Sequence, residues 1–190
     1  MKTIFAFDTA TTTTVCGLLV DGELVGEQLV EARSVLVAAE RLTRGAGISP
    51  AEIEGLVVGT GPGSFTSIRI GLATARGLGL GLGVPAAGVS TLLAFAGGRP
   101  VIDARRGEVF TTGPRVCKPE ELDVAGQTLV GDGAIRYRTL FEERGATIPP
   151  DADDAHVPDP LLLVEHAGDF GPAELVEPLY VRDPDAKPQP

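Results

Sequence analysis

An α/β fold built on a mixed sheet is what this sequence predicts. Three observations predict it. Three strand-like stretches follow one another within the first 30 residues, two of them joined by Asp21-Gly22. After them, apolar runs alternate with helix-patterned segments, the signature of parallel strands with crossover helices. At the centre, Gly59-Thr60-Gly61-Pro62-Gly63-Ser64-Phe65-Thr66-Ser67-Ile68-Arg69-Ile70-Gly71 joins one such strand to an Ala/Gly/Leu-rich helix reaching about Leu82.

In order, Thr3 to Asp8 is a first strand, apolar on both faces and so central in its sheet. Thr9 to Thr14 turns into a second strand, Val15 to Val20, and Asp21-Gly22 closes a hairpin onto a third, Glu23 to Val30. Ser34 is placed to cap a helix running to about Ala46, with Val35, Leu36, Ala39 and Leu42 as apolar positions and Gly45 and Gly47 ending it. Ser49-Pro50-Ala51-Glu52 has capping-box spacing. The strand at Leu56, the glycine turn and the central helix follow, then a strand from Val84 to Val89 and a helix from Ser90 to about Ala96. This order describes a ribonuclease-H-like core. Gly97-Gly98 is the expected boundary between a first domain, residues 1–98, and a smaller second one, residues 99–183. The second begins with a strand at Pro100 and a hairpin turning at Arg106-Gly107. A brief helix at Pro119, a strand at Leu129-Val130 and a helix from Ala134 to Arg144 complete it. Residues 151–190 hold ten acids and two bases, so much of this part is expected to be exposed, and 184–190 to be a disordered tail.

Composition narrows the function. The formal charge of −10 divides into −2 over residues 1–98 and −8 over 99–190. Such a chain does not attract polyphosphate by bulk electrostatics, so any nucleic-acid contact is expected only through a partner. No apolar run is long enough for a membrane span, and Asp8 follows only four apolar residues, too few for a signal peptide. Cys16 and Cys117 have no framework spacing, which fits a reduced, cytoplasmic setting.

The glycine turn reads two ways, as an anion cradle at a helix N-terminus or as a packing joint. A P-loop needs a lysine after its sixth position; Ser64 stands there and no lysine follows. A dinucleotide fingerprint needs a glycine where Ser64 stands. The joint reading is favoured, with Gly61, Pro62, Gly63 and Ser64 as its turn. In the helix behind it, Ala73, Gly77 and Gly81 form one small-residue row and Gly71, Ala75 and Gly79 another. Ile68, Ile70, Leu72, Leu78, Leu80 and Leu82 leave little polar face beyond Arg69, Thr74 and Arg76, so burial by a partner protein is expected, with burial by the chain's own second part as the alternative.

Asp8, Thr9, Thr11 and Thr12 end the first strand where an actin-like ATPase would coordinate magnesium and phosphate. The loop lacks the glycines such a site uses, so it reads as a degenerate nucleotide loop or a solvated threonine-rich hairpin. His156 and His166 form no metal-spaced pair, and no Gly-x-Ser-x-Gly elbow surrounds Ser64. No catalytic group, metal or cofactor is expected. Asp103, Arg105, Arg106 and Glu108 cluster beside a strand, as surface ion pairs or as an interface or ligand contact.

Ile4 to Ala10, Gly61 to Gly71, Val89-Ser90-Thr91-Leu92, Asp103 to Phe110, Gly131-Asp132-Gly133-Ala134 and Pro178-Leu179-Tyr180-Val181-Arg182 stand in the order of one family. The chain resembles TsaB, also called YeaZ, a bacterial subunit of the machinery that makes threonylcarbamoyladenosine at position 37 of tRNA. The resemblance implies a two-lobed fold of the actin-like ATPase and sugar-kinase class, with a reduced second lobe here and no catalysis of its own. It implies a heterodimer with the catalytic paralogue TsaD, which carries the metal ligands, and docking of the ATPase TsaE. Self-association of the isolated chain as a homodimer is the alternative assembly. The partner-binding positions it points to are Ser34, Leu36, Arg69, Ile70, Ala73, Arg76, Gly77 and Leu80. An ATP-dependent phosphotransferase or a glycoprotease-like peptidase is the alternative. This sequence departs from the family at Ser67, where glycine is usual, and at Arg33-Ser34-Val35, where His-Ser-Glu is usual.

Overall fold

The structure is a computed structural model and describes residues 2–182. The expected tail at 184–190 and the end of the 99–183 segment lie outside the described residues. The chain forms two sheets with helices on their faces, a mixed α/β arrangement.

The first sheet contains β1 (Thr3–Asp8), β2 (Thr14–Val20), β3 (Glu23–Val30), β4 (Gly55–Gly59) and β5 (Ala86–Val89), in the order β3-β2-β1-β4-β5. β1 pairs antiparallel with β2 and parallel with β4, and every β1 residue is buried. Asp21 and Gly22 take φ of 52° and 86°, the two left-handed positions that a tight hairpin between twisted strands requires.

Strand alternation divides the core. Phe5, Phe7, Leu18, Leu56 and Val58 face α1 (Val35–Gly45) and α2 (Phe65–Leu82). Ile4, Ala6, Val15, Leu19 and Val57 face the opposite side, where Leu163 of α5 (Pro160–Glu165) covers them. α1 buries Val35, Ala38, Ala39 and Leu42, the spacing of one helix stripe. Ser34 occupies its N-cap position, but its side chain makes no capping bond, because a 3-10 turn over Ala32–Ser34 leads in. At Ser49–Glu52 the capping box forms: Glu52 accepts the Ser49 N–H at 2.7 Å and Ser49 Oγ accepts the Ala51 N–H at 3.3 Å.

The second sheet, β8-β7-β6-β9, is built from β6 (Arg99–Arg105), β7 (Glu108–Thr111), β8 (Arg115–Cys117) and β9 (Leu129–Val130). One face packs on α3 (Asp132–Arg136) and α4 (Arg138–Glu143), through Val101, Val109, Ala134 and Phe141. The other carries Ile102, Ala104 and Phe110 against Leu92 and Phe95 from the end of the first sheet, with Val181 alongside. This apolar cluster joins the sheets.

Two expectations are corrected. The helix from Ser90 to Ala96 is one 3-10 turn, Thr91–Leu93, because the Ser90 hydroxyl donates to the Gly61 carbonyl instead of capping. The helix from Ala134 to Arg144 is two short helices, broken at Tyr137 where φ is −108° and ψ 23°. In the acidic C-terminal part many positions are exposed, as expected, while Pro160 and Leu163 are buried on the first sheet and Gly171 pairs with Ala86 at the β5 edge.

Candidate functional site

The glycine turn and the end of β1 form one buried knot. Asp8 is wholly buried; its Oδ2 accepts the Thr91 hydroxyl at 2.6 Å and its Oδ1 accepts the Ala10 N–H at 2.6 Å. Thr91 Oγ1 in turn accepts the Gly61 N–H at 3.1 Å. Burial pushes the Asp8 carboxyl above its ordinary range, and the two donated hydrogen bonds oppose that shift. Ser64 donates its N–H to the Ala10 carbonyl at 2.8 Å, and a Cβ on Gly63 would overlap that same carbonyl. Pro62 is buried, and Gly61 has φ of 95°. Backbone therefore lies directly against backbone, which leaves no room for a phosphate between the turn and the strand end.

The remaining threonines are likewise engaged within the chain. Thr9 is buried and donates to the Ser67 carbonyl at 2.7 Å; Thr11 donates to the Thr13 carbonyl at 2.8 Å. Thr12 reaches across to the start of α3, its hydroxyl donating to Asp132 at 2.7 Å and its N–H at 3.1 Å, while Asp132 also accepts the N–H of Asp103 in β6 at 2.9 Å. Among the described residues no group of three or more His, Cys, Asp or Glu is placed to hold a metal ion. His156 is buried, accepting the Gly131 N–H on Nδ1 at 3.0 Å with Nε2 at 3.1 Å from the Pro149 carbonyl, a structural pairing in the chain interior.

α2 has two different faces. Ser64 caps it, accepting the Ser67 N–H at 3.4 Å, and the Ser67 hydroxyl donates to Ser64 Oγ at 3.0 Å, so the unusual serine is accommodated locally. Gly71 lies against Thr9, and a Cβ on Gly79 would sit 2.7 Å from Ala173 Cβ. The Gly71, Ala75 and Gly79 row is thus spent on the chain's own core. The Ala73, Gly77 and Gly81 row faces outward, with open space at both glycines.

Arg69, Ala73, Arg76, Gly77 and Leu80 are exposed on α2, Leu80 by 88%, while Ile70 is half-buried. On α1, Leu36 is 57% exposed and Ser34 half-buried. Both helices lie on the same side of the first sheet. The sequence did not single out Val37, Phe65 and Tyr180, which add exposed apolar or aromatic surface. Phe65 and Tyr180 carry a readable signal, since each stands inside a family stretch; Val37 lies off the apolar period of its helix. Arg69 Nε donates to the Tyr180 hydroxyl at 3.1 Å with its guanidinium 3.9 Å from the Phe65 ring centre, and Arg76 donates to the Val176 carbonyl at 3.0 Å.

A family model described as TsaD, tRNA N6-adenosine threonylcarbamoyltransferase, matches residues 31–133, more than half of the 190 residues. A TsaB protein of Haemophilus influenzae is 27% identical over 95% of this chain and 94% of its own length. The chain belongs to the TsaB (YeaZ) family. TsaB of Bacillus subtilis is 33% identical over 57% of this chain and 53% of its own length, and both relatives are named tRNA threonylcarbamoyladenosine biosynthesis proteins. An uncharacterised protein of Mycobacterium tuberculosis is 36% identical over 99% of this chain and 95% of its own. The solved structure of YeaZ from Pseudomonas aeruginosa superposes with a TM-score of 0.77 at 25% identity, over 95% of this chain and all of that one.

Proposed function

We propose that this chain is an accessory subunit, without catalysis of its own, in the synthesis of tRNA threonylcarbamoyladenosine, the process for which its TsaB relatives are named. It docks the paralogue TsaD through the outward faces of α1 and α2, centred on Leu36, Ala73, Gly77 and Leu80, and the ATPase TsaE joins that pair. Arg69, Ile70, Arg76 and Ser34 border the contact. Contact with tRNA is made through the complex, in the cytoplasm. The single observation that carries this reading is α2 itself: packed on its own sheet by one face, it exposes Ala73, two open glycines and Leu80 on the other, beside Arg69 and Arg76, whose guanidinium groups are turned onto the C-terminal segment.

The strand order β3-β2-β1-β4-β5, with only β2 reversed against both neighbours, supports a ribonuclease-H-like first lobe of the actin-like class. Residues 160–176 return to cover the first sheet, which supports grouping that segment with residues 2–98 in one lobe and taking 99–159, in place of the expected 99–183, as the reduced second lobe. The buried Asp8 knot supports the absence of ATP-dependent phosphotransfer.

Co-expression with the TsaD paralogue from the same organism tests this reading. A stable one-to-one complex is expected by size exclusion with light scattering. Failure to associate, with or without ATP, overturns it; a homodimer alone assigns the face to a second copy of this chain.

A further inference from the structure

Each sheet has two edges, and they are finished differently. In the first sheet the β5 edge is covered: Ala86 and Gly171 exchange backbone hydrogen bonds at 2.8 and 3.0 Å, and Gly168 donates to the Gly88 carbonyl at 3.1 Å. In the second sheet Thr147 continues past β9, its carbonyl accepting the Leu129 N–H at 2.9 Å, and β8 is only three residues long. β3 is the exception. It is an eight-residue outer strand paired to β2 alone, and among the described residues no hydrogen bond reaches the backbone on its other side. Alternate N–H and C=O groups of such a strand point away from the sheet. The bulge between Leu18 and Leu19 lies toward the hairpin end and leaves Gly26 to Val30 in regular register.

Glu27 stands opposite Gly17 and Leu29 opposite Val15, so both project on the face that α5 covers. Leu29 is 52% exposed there, and Val25 and Leu161 are exposed as well. The same margin is acidic. Glu23 and Glu27 lie on the strand, Asp154 and Asp159 on the segment beside α5, and β3 carries no basic residue. Asp159 spends Oδ1 on the Leu161 N–H at 2.8 Å, but among the described residues none of these four carboxylates is in an ion pair. Partial burial, and after it the charges of Asp159 and Asp154, push the Glu27 carboxyl above its ordinary range, so the three share one neighbourhood without a cation.

An exposed edge of this length is a template for another strand. A second copy of the same edge would bring Glu23 and Glu27 of both chains together, and like charges across a strand pair are destabilising. A strand of opposite charge meets no such repulsion.

We propose that the open edge of β3 takes up an extended basic segment of another protein as an added strand, with an apolar side chain against Leu29 and a Lys or Arg against Glu27. Main-chain hydrogen bonds supply the affinity, and the side-chain pairs supply the choice of partner. In an antiparallel partner the residue facing Leu29 precedes the one facing Glu27 by two, so the segment reads apolar-x-basic. This surface goes beyond the subunit role and does not rest on it: the outward faces of α1 and α2 are read by association with the paralogue, the edge by peptide binding to the isolated chain.

The test is amide NMR and hydrogen exchange on the full chain, at low salt and in about 0.15 M salt. The probe is the end-blocked peptide Thr-Val-Thr-Lys-Thr-Val-Thr-Lys, the length of β3, which sets Val against Leu29 and Lys against Glu27. It is expected to shift the amides of Gly26 to Val30 saturably and to slow exchange at alternate residues among them. The same peptide with Glu in place of Lys is expected to bind at least about tenfold more weakly. Methylating the backbone nitrogens of the threonines, or instead those of the valines and lysines, removes the donors of one peptide edge at a time. Strand addition predicts that one of these two sets costs at least about tenfold and the other little. Glu27→Lys relieves the crowding with Asp154 and Asp159, so its melting temperature is expected to hold or rise while the Lys peptide binds at least about tenfold more weakly. Glu27→Gln gives the same direction should that variant not fold. The proposal is overturned by the absence of saturable shifts at Gly26 to Val30, by equal binding of the Lys and Glu peptides, or by equal affinities of the two methylated sets. It is overturned as well by unchanged affinity in the Glu27 variants, or by shifts at the same amides with protein concentration alone, which give the edge to a second copy of this chain.

Discussion

Asp8 shows how a residue with the chemistry of an active site is spent on architecture. Its carboxyl ties the end of β1 to Thr91 beyond β5, and through Thr91 to Gly61 in the turn. Asp8→Ala leaves the Thr91 hydroxyl and the Ala10 N–H without partners in a dry interior, a cost of about 2–4 kcal/mol for two stranded donors. Urea unfolding is expected to show that loss. The pH dependence has a definite sign. Burial raises the folded-state pKa above the ordinary carboxyl value of 3.8, so the folded chain holds this proton more tightly than the unfolded one. The Asp8 contribution is fully present below 3.8 and is lost as pH rises through the folded-state value. Asp8→Asn, which cannot ionise, is expected to remove that fall from the stability profile above pH 3.8; an unchanged profile means Asp8 does not titrate differently on folding. The position of Asp8 at a strand end was legible in the sequence. Its partner was not, because Thr91 is 83 residues away and looks locally like the start of a helix.

At the scale of the element, α2 was legible as a helix with two small-residue rows, since Ser64 and Gly83 cap it and the rows follow its period. Which row turns inward was not, because that depends on Thr9 and Ala173 arriving from distant segments. The outward row decides a prediction. Gly77 has open space around its Cβ position, so Gly77→Leu meets nothing within the folded chain and gains helix propensity of about 1 kcal/mol. Its thermal stability is expected to rise slightly. At a helix–helix contact built on small residues the same side chain overfills the space, at about 1–3 kcal/mol, so association with the paralogue is expected to fall at least about tenfold. Opposite signs for folding and association separate an interface from a core position. A variant that associates normally places the interface elsewhere.

Across the whole molecule, the C-terminal segment binds both sheets together. Gly171 pairs with Ala86 and so covers the β5 edge, which would otherwise present unpaired backbone. Leu179 donates its N–H to the Thr60 carbonyl at 2.9 Å, Tyr180 meets Arg69, Val181 packs beside Ile102 and Phe110, and Arg182 pairs with Glu108 on the second sheet. This return was the least legible part of the fold. Its acids and prolines look like a solvated tail, α5 is six residues long, and its burial comes from a sheet face formed by residues between Ile4 and Ala94. The exposed side of α2 is also coupled to this segment, since Arg69 and Arg76 both donate to it. Ending the chain at Pro178 tests the arrangement. It removes two half-buried apolar side chains, Leu179 and Val181, and a backbone hydrogen bond, together worth about 2–3 kcal/mol. For a chain of this size that corresponds to a melting temperature roughly 5–10 °C lower. Hydrogen exchange is expected to quicken at Thr60–Ser64 and along β7, where the lost residues rest, and to stay unchanged in β1 and β2. An unaltered melting temperature with unaltered exchange at β7 means that the apolar cluster around Phe95 and Ile102 alone holds the sheets together.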